Sequence, residues 1–184
     1  MLIICACVNE NSMTISLGPM SVVVRPAPPR NPMANGYGKN ARCLRRDMTD
    51  RLGKNFGKTS DIVNTIANYK TIVAFQNFMQ GGTGIHQVGH FTVSGDPGGD
   101  FYTSPNEPSF WMHHAMIDRV WTIWQSQDYA NRRMAMEGST SMAGGRGRQT
   151  LDDPTDLGVV GRNYPIRDLM STVDGPGPFC YVYQ

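Results

Sequence analysis

All four histidines of this chain lie in two short stretches of sequence. The first stretch reads His86-Gln-Val-Gly-His90, and the second contains the adjacent pair His113-His114. If the first stretch is helical, its two imidazoles lie one turn apart on the same face. Imidazole nitrogen is a good ligand for zinc, copper, iron and nickel. The spacing therefore predicts a metal site in which a histidine of the second stretch completes three nitrogen ligands.

The adjacent pair cannot supply two ligands to one ion, because consecutive side chains on a helix diverge by about 100°. One of His113 and His114 is a ligand and the other packs. Zinc is a chemical alternative to a redox metal, but a zinc protease needs Glu after its first histidine as general base. Position 87 is Gln, which does not take up a proton at neutral pH. The sequence therefore disfavours a zinc hydrolase.

Short helices must position these ligands. Glycines precede the first histidine stretch and predict a short, separate helix over residues 86–90, followed by a glycine-rich loop over 95–100. A longer helix is predicted over 107–126, with Asn106 or Ser104 as its cap and proline in its first turn. This arrangement brings the second histidine stretch back to the first.

Upstream, apolar residues spaced by four predict an amphipathic helix over residues 41–53. A second apolar stripe predicts helices over 59–80, with a break near Asn68. Near the C-terminus, a short helix is predicted at 166–170 and an edge strand at 179–183. The predicted fold class is mainly α, with long loops and minor strand.

Bulk composition favours a small-molecule partner. The chain has 184 residues, a formal net charge of +2 and a pI near 8.4. The longest run of basic residues is Arg45-Arg46, so neither nucleic acid nor an anionic membrane is indicated as a partner. The apolar start, Met1–Val8, is far too short to span a membrane and lacks the basic start of a secretory signal.

The second histidine stretch has a specific context, Glu107-Pro-Ser-Phe-Trp-Met-His-His114-Ala-Met-Ile-Asp118. It resembles the copper B signature of tyrosinases and catechol oxidases, the type-3 copper family, and particularly its short fungal members. Glu107 stands where Asp is usual. The resemblance extends over residues 17–184 and defines a tyrosinase-like domain, preceded by an atypical segment at 1–16.

The resemblance implies a copper site whose ligands are His86, His90 and His114. It leaves His113 as an outer-shell or channel-wall residue. One turn after His114, Asp118 is placed to accept an imidazole N–H and fix its tautomer.

The aromatic rings of Phe91 and Phe101 lie close to the ligands in sequence. They could form an apolar pocket for a phenol ring, although the same rings would be ordinary in a helical core.

Two cysteines far apart in sequence, Cys43 and Cys180, are the candidate disulfide, which would stabilise the fold by roughly 4 kcal/mol if formed. Fungal relatives of this family are commonly secreted, and that localisation favours the bridge. Two buried thiols are the alternative.

In this family, two coppers, each held by three histidines, activate O2 and oxidise o-diphenols to o-quinones, and some members also hydroxylate monophenols. Six histidines are required and this chain has four. We therefore expect a copper B half that is catalytic only with a copper A half. The alternatives are a mononuclear copper-binding protein and an inactive truncated paralogue.

The missing partner helices also predict an exposed apolar patch on the face opposite His86 and His90. We therefore expect the chain to dimerise or aggregate.

Overall fold

A computed structural model describes residues 2–6, 44–139 and 147–184 of the chain. Within these residues the fold is mainly α, which confirms the predicted class. The helices are α1 Asp50–Phe56, α2 Thr59–Asn68, α3 Ile72–Gln80, α4 Ile85–Val93, α5 Pro108–Ser126 and α6 Tyr129–Arg132. The strands are β1 Leu2–Ala6, β2 Leu44–Met48, β3 Pro154–Thr155 and β4 Tyr164–Pro165, and 3-10 turns lie at Ser104–Asn106, Gly158–Val160 and Ile166–Leu169. Among the described helices, none combines the length and apolarity that a membrane crossing needs.

The chain forms two compact units. The first unit comprises Met1–Asp61 and Met79–Ile117, and the second comprises Ile62–Phe78 and Asp118–Gln184. All four histidines belong to the first unit.

In the first unit, α4 packs against both α1 and β2. The backbone of β2 pairs antiparallel with β1, with Leu44 opposite Ala6. On its other side β2 holds the loop after α4, because the backbone of Arg45 exchanges two hydrogen bonds of 2.7 Å with Asp96. At Gly95 the loop has a φ of 75°, and a Cβ there would collide with the Arg45 carbonyl oxygen. Glycine therefore allows the loop to lie directly on the strand.

The predicted helix over 41–53 is wrong in its described first part, where Leu44–Met48 is a strand. Two tertiary contacts override the helical spacing: the backbone pairs with β1, and the Arg46 side chain turns inward to Glu107. The helix begins only at Asp50, after Thr49, whose side chain accepts a hydrogen bond from the Arg51 N–H at 3.4 Å.

The helix predictions further along the chain are confirmed. The break expected near Asn68 is the end of α2, and the short helix expected at 166–170 is found as the 3-10 turn Ile166–Leu169. The strand expected at 179–183 is absent from the described C-terminal residues.

The core of the second unit is built around Trp124, which is fully buried. Its ring stacks on Phe75 at 4.7 Å between centroids, and its indole N–H donates to the Tyr69 carbonyl at 2.6 Å. The Arg132 guanidinium lies 4.5 Å from the Trp124 ring centroid and donates to the Trp124 carbonyl at 2.9 Å. The Trp124 indole N–H and one N–H of the Arg132 guanidinium are thus both paired with backbone carbonyls inside this core.

The predicted disulfide is not formed, because Cys180 is a free and exposed thiol. Asp118 on α5 accepts hydrogen bonds from the hydroxyls of Tyr181, at 2.8 Å, and Tyr183. The exposed Cys180 thiol directly precedes these anchored tyrosines. Its predicted partner, Cys43, lies outside the described residues.

Candidate metal centre

The short helix α4 presents His86 and His90, as the sequence predicts. It starts after Gly84, whose N–H donates to the Gly81 carbonyl at 2.8 Å and closes the turn from α3. It stops at Ser94, which has a φ of 48°. Only Ile85 and Val88 of this helix are buried, so the histidines lie on a different, half-buried face.

The start of α5 is fixed by Glu107, the acid that replaces the usual Asp. Its carboxylate accepts the Ser109 N–H and the Ser109 hydroxyl, each at 3.1 Å, and so caps the helix. The sequence had predicted Asn106 or Ser104 for this role; those residues instead form the preceding 3-10 turn.

Glu107 also joins α5 to β2. The Arg46 Nε donates to both carboxylate oxygens, at 3.0 and 3.1 Å, and Glu107 is only 2% exposed. Burial favours the neutral acid, but hydrogen bonds from Arg46 and Ser109 outweigh burial and lower the pKa of Glu107 below its ordinary value. A buried ion pair therefore holds the histidine-bearing end of α5 against the strand.

Ring nitrogens from the two histidine stretches converge. The Nε2 of His90 lies 3.2 Å from the Nε2 of His86 and 3.1 Å from the Nε2 of His114. Two imidazole nitrogens bound to one ion at about 2 Å each lie roughly 3 Å apart. These separations therefore suit ligands of a common metal ion.

His113 lies beside this group and makes a different contact. Its Nε2 lies 2.9 Å from the backbone carbonyl of His86 and donates to it. The ring fills the space above Gly89, where an added Cβ would collide with it. His113 thus clamps α5 onto α4.

Two sets of three histidines share His86 and His90. With His113, each residue offers a ring nitrogen within 4.8 Å of the others. With His114, the two Nε2 contacts to His90 are near 3 Å. In the first set, the Nε2 of His113 is already hydrogen-bonded to backbone. In the second set, the Nε2 atoms of His86, His90 and His114 contact one another and not the backbone.

A cavity of about 230 Å³ opens beside the histidines. His86, His90 and His114 line it, together with the rings of Phe91 and Phe101 that the sequence marked as a candidate pocket. The remaining lining residues are Gln80, Gln87, Gly98, Gly99, Asp100, Ser104 and Phe110. The wall thus combines aromatic rings with a few polar groups, as small-molecule sites do.

The surroundings of all four imidazoles favour the neutral form. Burial, together with repulsion from neighbouring histidines, lowers the pKa of His86 and of His90 to about 4. Burial also lowers the pKa of His113 and of His114. Metal binding needs the neutral form of imidazole, which these lowered pKa values favour.

Sequence reasoning missed two contacts of this site. The Nδ1 of His86 lies 2.6 Å from the Oε1 of Gln80, and Phe110 stacks on His114 at 4.0 Å between ring centroids. A Gln at a helix end carries no signal of such a contact. Phe110 was visible as part of the motif, but stacking depends on the rotamers of both rings.

Asp118 lies in the second unit, where Tyr181 and Tyr183 donate to its carboxylate. Burial, with the hydrogen bonds to Asp118, raises the pKa of both tyrosines. The role predicted for Asp118 toward an imidazole stays a prediction.

A mainly helical fold that gathers neutral imidazoles at an aromatic-walled cavity defines a histidine-ligated metalloprotein. Comparison with known families is more specific, because residues 7–127 match the common central domain of tyrosinase. The chain belongs to the tyrosinase family, whose cofactor is copper.

Similar proteins include fungal oxidases. Tyrosinase P of Aspergillus terreus is 34% identical over an alignment of 157 residues, and the match covers 81% of this chain and 43% of the relative. N-acetyl-6-hydroxytryptophan oxidase ivoB of Emericella nidulans is 28% identical over 186 residues, covering 92% of this chain and 49% of the relative. The chain thus spans about half the length of these relatives.

A solved structure is also similar, that of a variant polyphenol oxidase from Thermothelomyces thermophila. The match has a TM-score of 0.72 and 29% sequence identity, and it covers 93% of this chain and 49% of the oxidase chain. The fold of this chain is therefore that of one half of a tyrosinase-type polyphenol oxidase.

Proposed function

We propose that this chain is the copper B half of a tyrosinase-like oxidoreductase, which oxidises o-diphenols to o-quinones with O2 once a copper A half is present. The observation that supports this proposal most directly is the convergence of His86, His90 and His114 at one cavity. Family membership and the fungal oxidases similar to this chain support the reaction class.

Within this proposal the third copper ligand is His114 rather than His113. The ring of His114 lines the cavity and its Nε2 contacts the Nε2 of His90, whereas the Nε2 of His113 donates to backbone. Phe110 stacked on His114 limits the rotation of that ligand. Three cavity-facing imidazoles would thus hold the metal beside the space that a substrate can enter.

The cavity favours a small aromatic substrate. Its volume of about 230 Å³ is below the range of pockets for drug-sized ligands, so it suits a single-ring phenol. Phe91 and Phe101, which are 44% and 68% exposed, supply apolar faces on which such a ring can pack. The same cavity would also admit monophenols. The proposal therefore includes the more specific case in which a monophenol is first hydroxylated and then oxidised.

The chain needs a second half for turnover. Copper supplies one-electron redox chemistry, and an o-diphenol loses two electrons and two protons when it becomes a quinone, so a second ion is required. The four histidines of this chain supply ligands for one site, and the chain spans about half the length of similar oxidases.

The surface of α5 supports the same conclusion. Trp111 and Met112 are 64% and 79% exposed, and Ala115 and Met116, one turn later, are also exposed. These four residues, the apolar face of α5, form a contiguous patch of the kind that protein partners cover. We propose that the copper A half packs on this face.

Copper stoichiometry and quinone production test the proposal together. Purified chain is loaded with copper, the bound metal is counted by mass spectrometry, and catechol oxidation is followed by quinone absorbance and O2 uptake. We expect one copper per chain without sustained oxidation, and two coppers per active unit with oxidation when the remainder of Tyrosinase P is co-expressed. A chain that retains no copper contradicts the proposal. One copper per complex without quinone would favour a mononuclear copper-binding protein.

A further inference from the structure

We propose that Gln80 is a positioning residue that fixes the tautomer and orientation of the His86 imidazole. The inference rests on the proposed copper site and adds a residue to it. Its basis is one contact: the Nδ1 of His86 lies 2.6 Å from the Oε1 of Gln80. An amide oxygen can only accept a hydrogen bond, so this contact requires the proton of His86 to be on Nδ1.

The tautomer decides whether His86 can bind metal through the nitrogen that faces the other ligands. With the proton on Nδ1, the Nε2 of His86 keeps its lone pair, and this is the atom that lies 3.2 Å from the Nε2 of His90. A neutral imidazole in water favours the opposite tautomer, with the proton on Nε2. That proton would occupy the position of the metal bond. Gln80 therefore offsets an intrinsic preference that opposes metal binding.

Local structure holds Gln80 in place for this contact. Gln80 is the last residue of α3, and the Gly84 N–H to Gly81 carbonyl hydrogen bond of 2.8 Å folds the following turn back toward α4. Gln80 and His86 both line the cavity. The side chain therefore reaches His86 across a turn of fixed geometry.

His86 is restrained a second time through its backbone, whose carbonyl accepts the hydrogen bond from His113. The backbone contact sets where the residue lies, but it does not determine which ring nitrogen is protonated. That choice is left to the partner of Nδ1. Loss of Gln80 should therefore change protonation at His86 without moving α4.

Nitrogen NMR measures the tautomer directly. Metal-free protein labelled with 15N at histidine is examined by long-range 1H–15N spectra at pH 7.5, about one unit above the ordinary pKa of histidine. We expect His86 of the wild-type protein to be protonated on Nδ1. Gln80→Leu should shift it toward the Nε2-protonated form, and Gln80→Glu, which keeps an acceptor, should retain the wild-type tautomer.

Gln87→Leu is the matched control, because it makes the same change on the same cavity wall next to His86. It should leave the tautomer of His86 unchanged. In copper competition titrations, Gln80→Leu should weaken binding by roughly 10- to 100-fold, the usual effect of removing an outer-shell partner of a metal ligand.

Wild-type His86 protonated on Nε2 would overturn the inference without any variant being needed. The same follows if Gln80→Leu and wild-type protein have equal tautomer populations and equal copper affinities. Failure of the copper proposal has a different signature, since wild-type protein would then bind no copper while its His86 remains protonated on Nδ1.

Discussion

Two adjacent histidines on α5 have different roles, and the direction of each side chain determines its role. His114 faces the cavity, while His113 faces the backbone of α4 and covers Gly89. The 100° between consecutive side chains on a helix makes this division unavoidable.

Paired alanine variants separate the two roles. We expect His114→Ala to abolish copper retention, because a ligand is lost, and His113→Ala to retain most of the copper. Isothermal copper titration measures both affinities, and thermal unfolding records whether His113→Ala loosens the packing of α4. Equal losses of copper in the two variants would show that the ligand assignment is wrong.

At this scale the helical face shared by His86 and His90 can be predicted from the sequence, whereas the contacts that support these side chains cannot. His86 and His90 are predictable because four-residue spacing on a helix fixes their common face, and α4 bears this out. The contact between Gln80 and His86 cannot be predicted from the sequence, because the turn between the two residues takes a path that depends on tertiary structure.

Between elements, the Arg46–Glu107 ion pair is the contact that ties the start of α5 to β2. Glu107 is buried and Arg46 is 19% exposed, so loss of the arginine leaves a buried carboxylate without its charged partner. Removing one member of a buried pair is strongly destabilising.

Arg46→Met should therefore lower the free energy of unfolding at pH 7 by on the order of 3 kcal/mol. Arg45→Met is the matched control, since Arg45 is the neighbouring residue of the same strand and is exposed. Denaturant titrations of both variants and the wild type measure the difference. Similar stabilities for the two variants would refute this role for the pair.

The effect should also depend on pH. The pKa of Glu107 lies below its ordinary value of 4.5 in the folded protein, so the carboxylate contributes stability that is fully present above that value. This contribution is lost as pH falls through the lower, folded pKa. The gap between wild type and Arg46→Met should accordingly narrow in acid.

The same pair explains the main error in the predicted elements. Spacing by four through Leu44 and Met48 is typical of a helix, and local sequence gives no sign that Arg46 will be drawn to a carboxylate 61 residues away. Strand pairing with β1 and this distant contact are tertiary effects, and they override weak local propensity. The helices α2, α4 and α5 were predictable because their patterns are strong and their ends are marked by glycine, proline or a cap.

Considered as a whole molecule, the chain exposes more apolar surface on α5 than a helix facing water should. The apolar face of α5, defined by Trp111, Met112, Ala115 and Met116, lies in the same unit as the histidines. Its exposure agrees with a chain that spans about half the length of similar oxidases.

We expect the isolated chain to self-associate through this face, because burial of exposed apolar side chains is favourable. The double variant Trp111→Ser and Met112→Ser should reduce association in light scattering. Val173→Ser removes a comparably exposed apolar residue, 58% exposed, in the other unit and should have little effect. A wild-type chain that stays monomeric at high concentration would contradict self-association through this face.

The imidazole of His113 occupies the space where the Cβ of any side chain at position 89 would lie, so only glycine fits there. A mutational library randomised at codon 89 and selected for soluble protein should return glycine almost alone. If codon 113 is randomised as well, larger residues should become acceptable at 89 only together with smaller ones at 113. The glycine at position 89 is thus required by how closely α5 approaches α4 in this chain, independent of any chemistry at the metal.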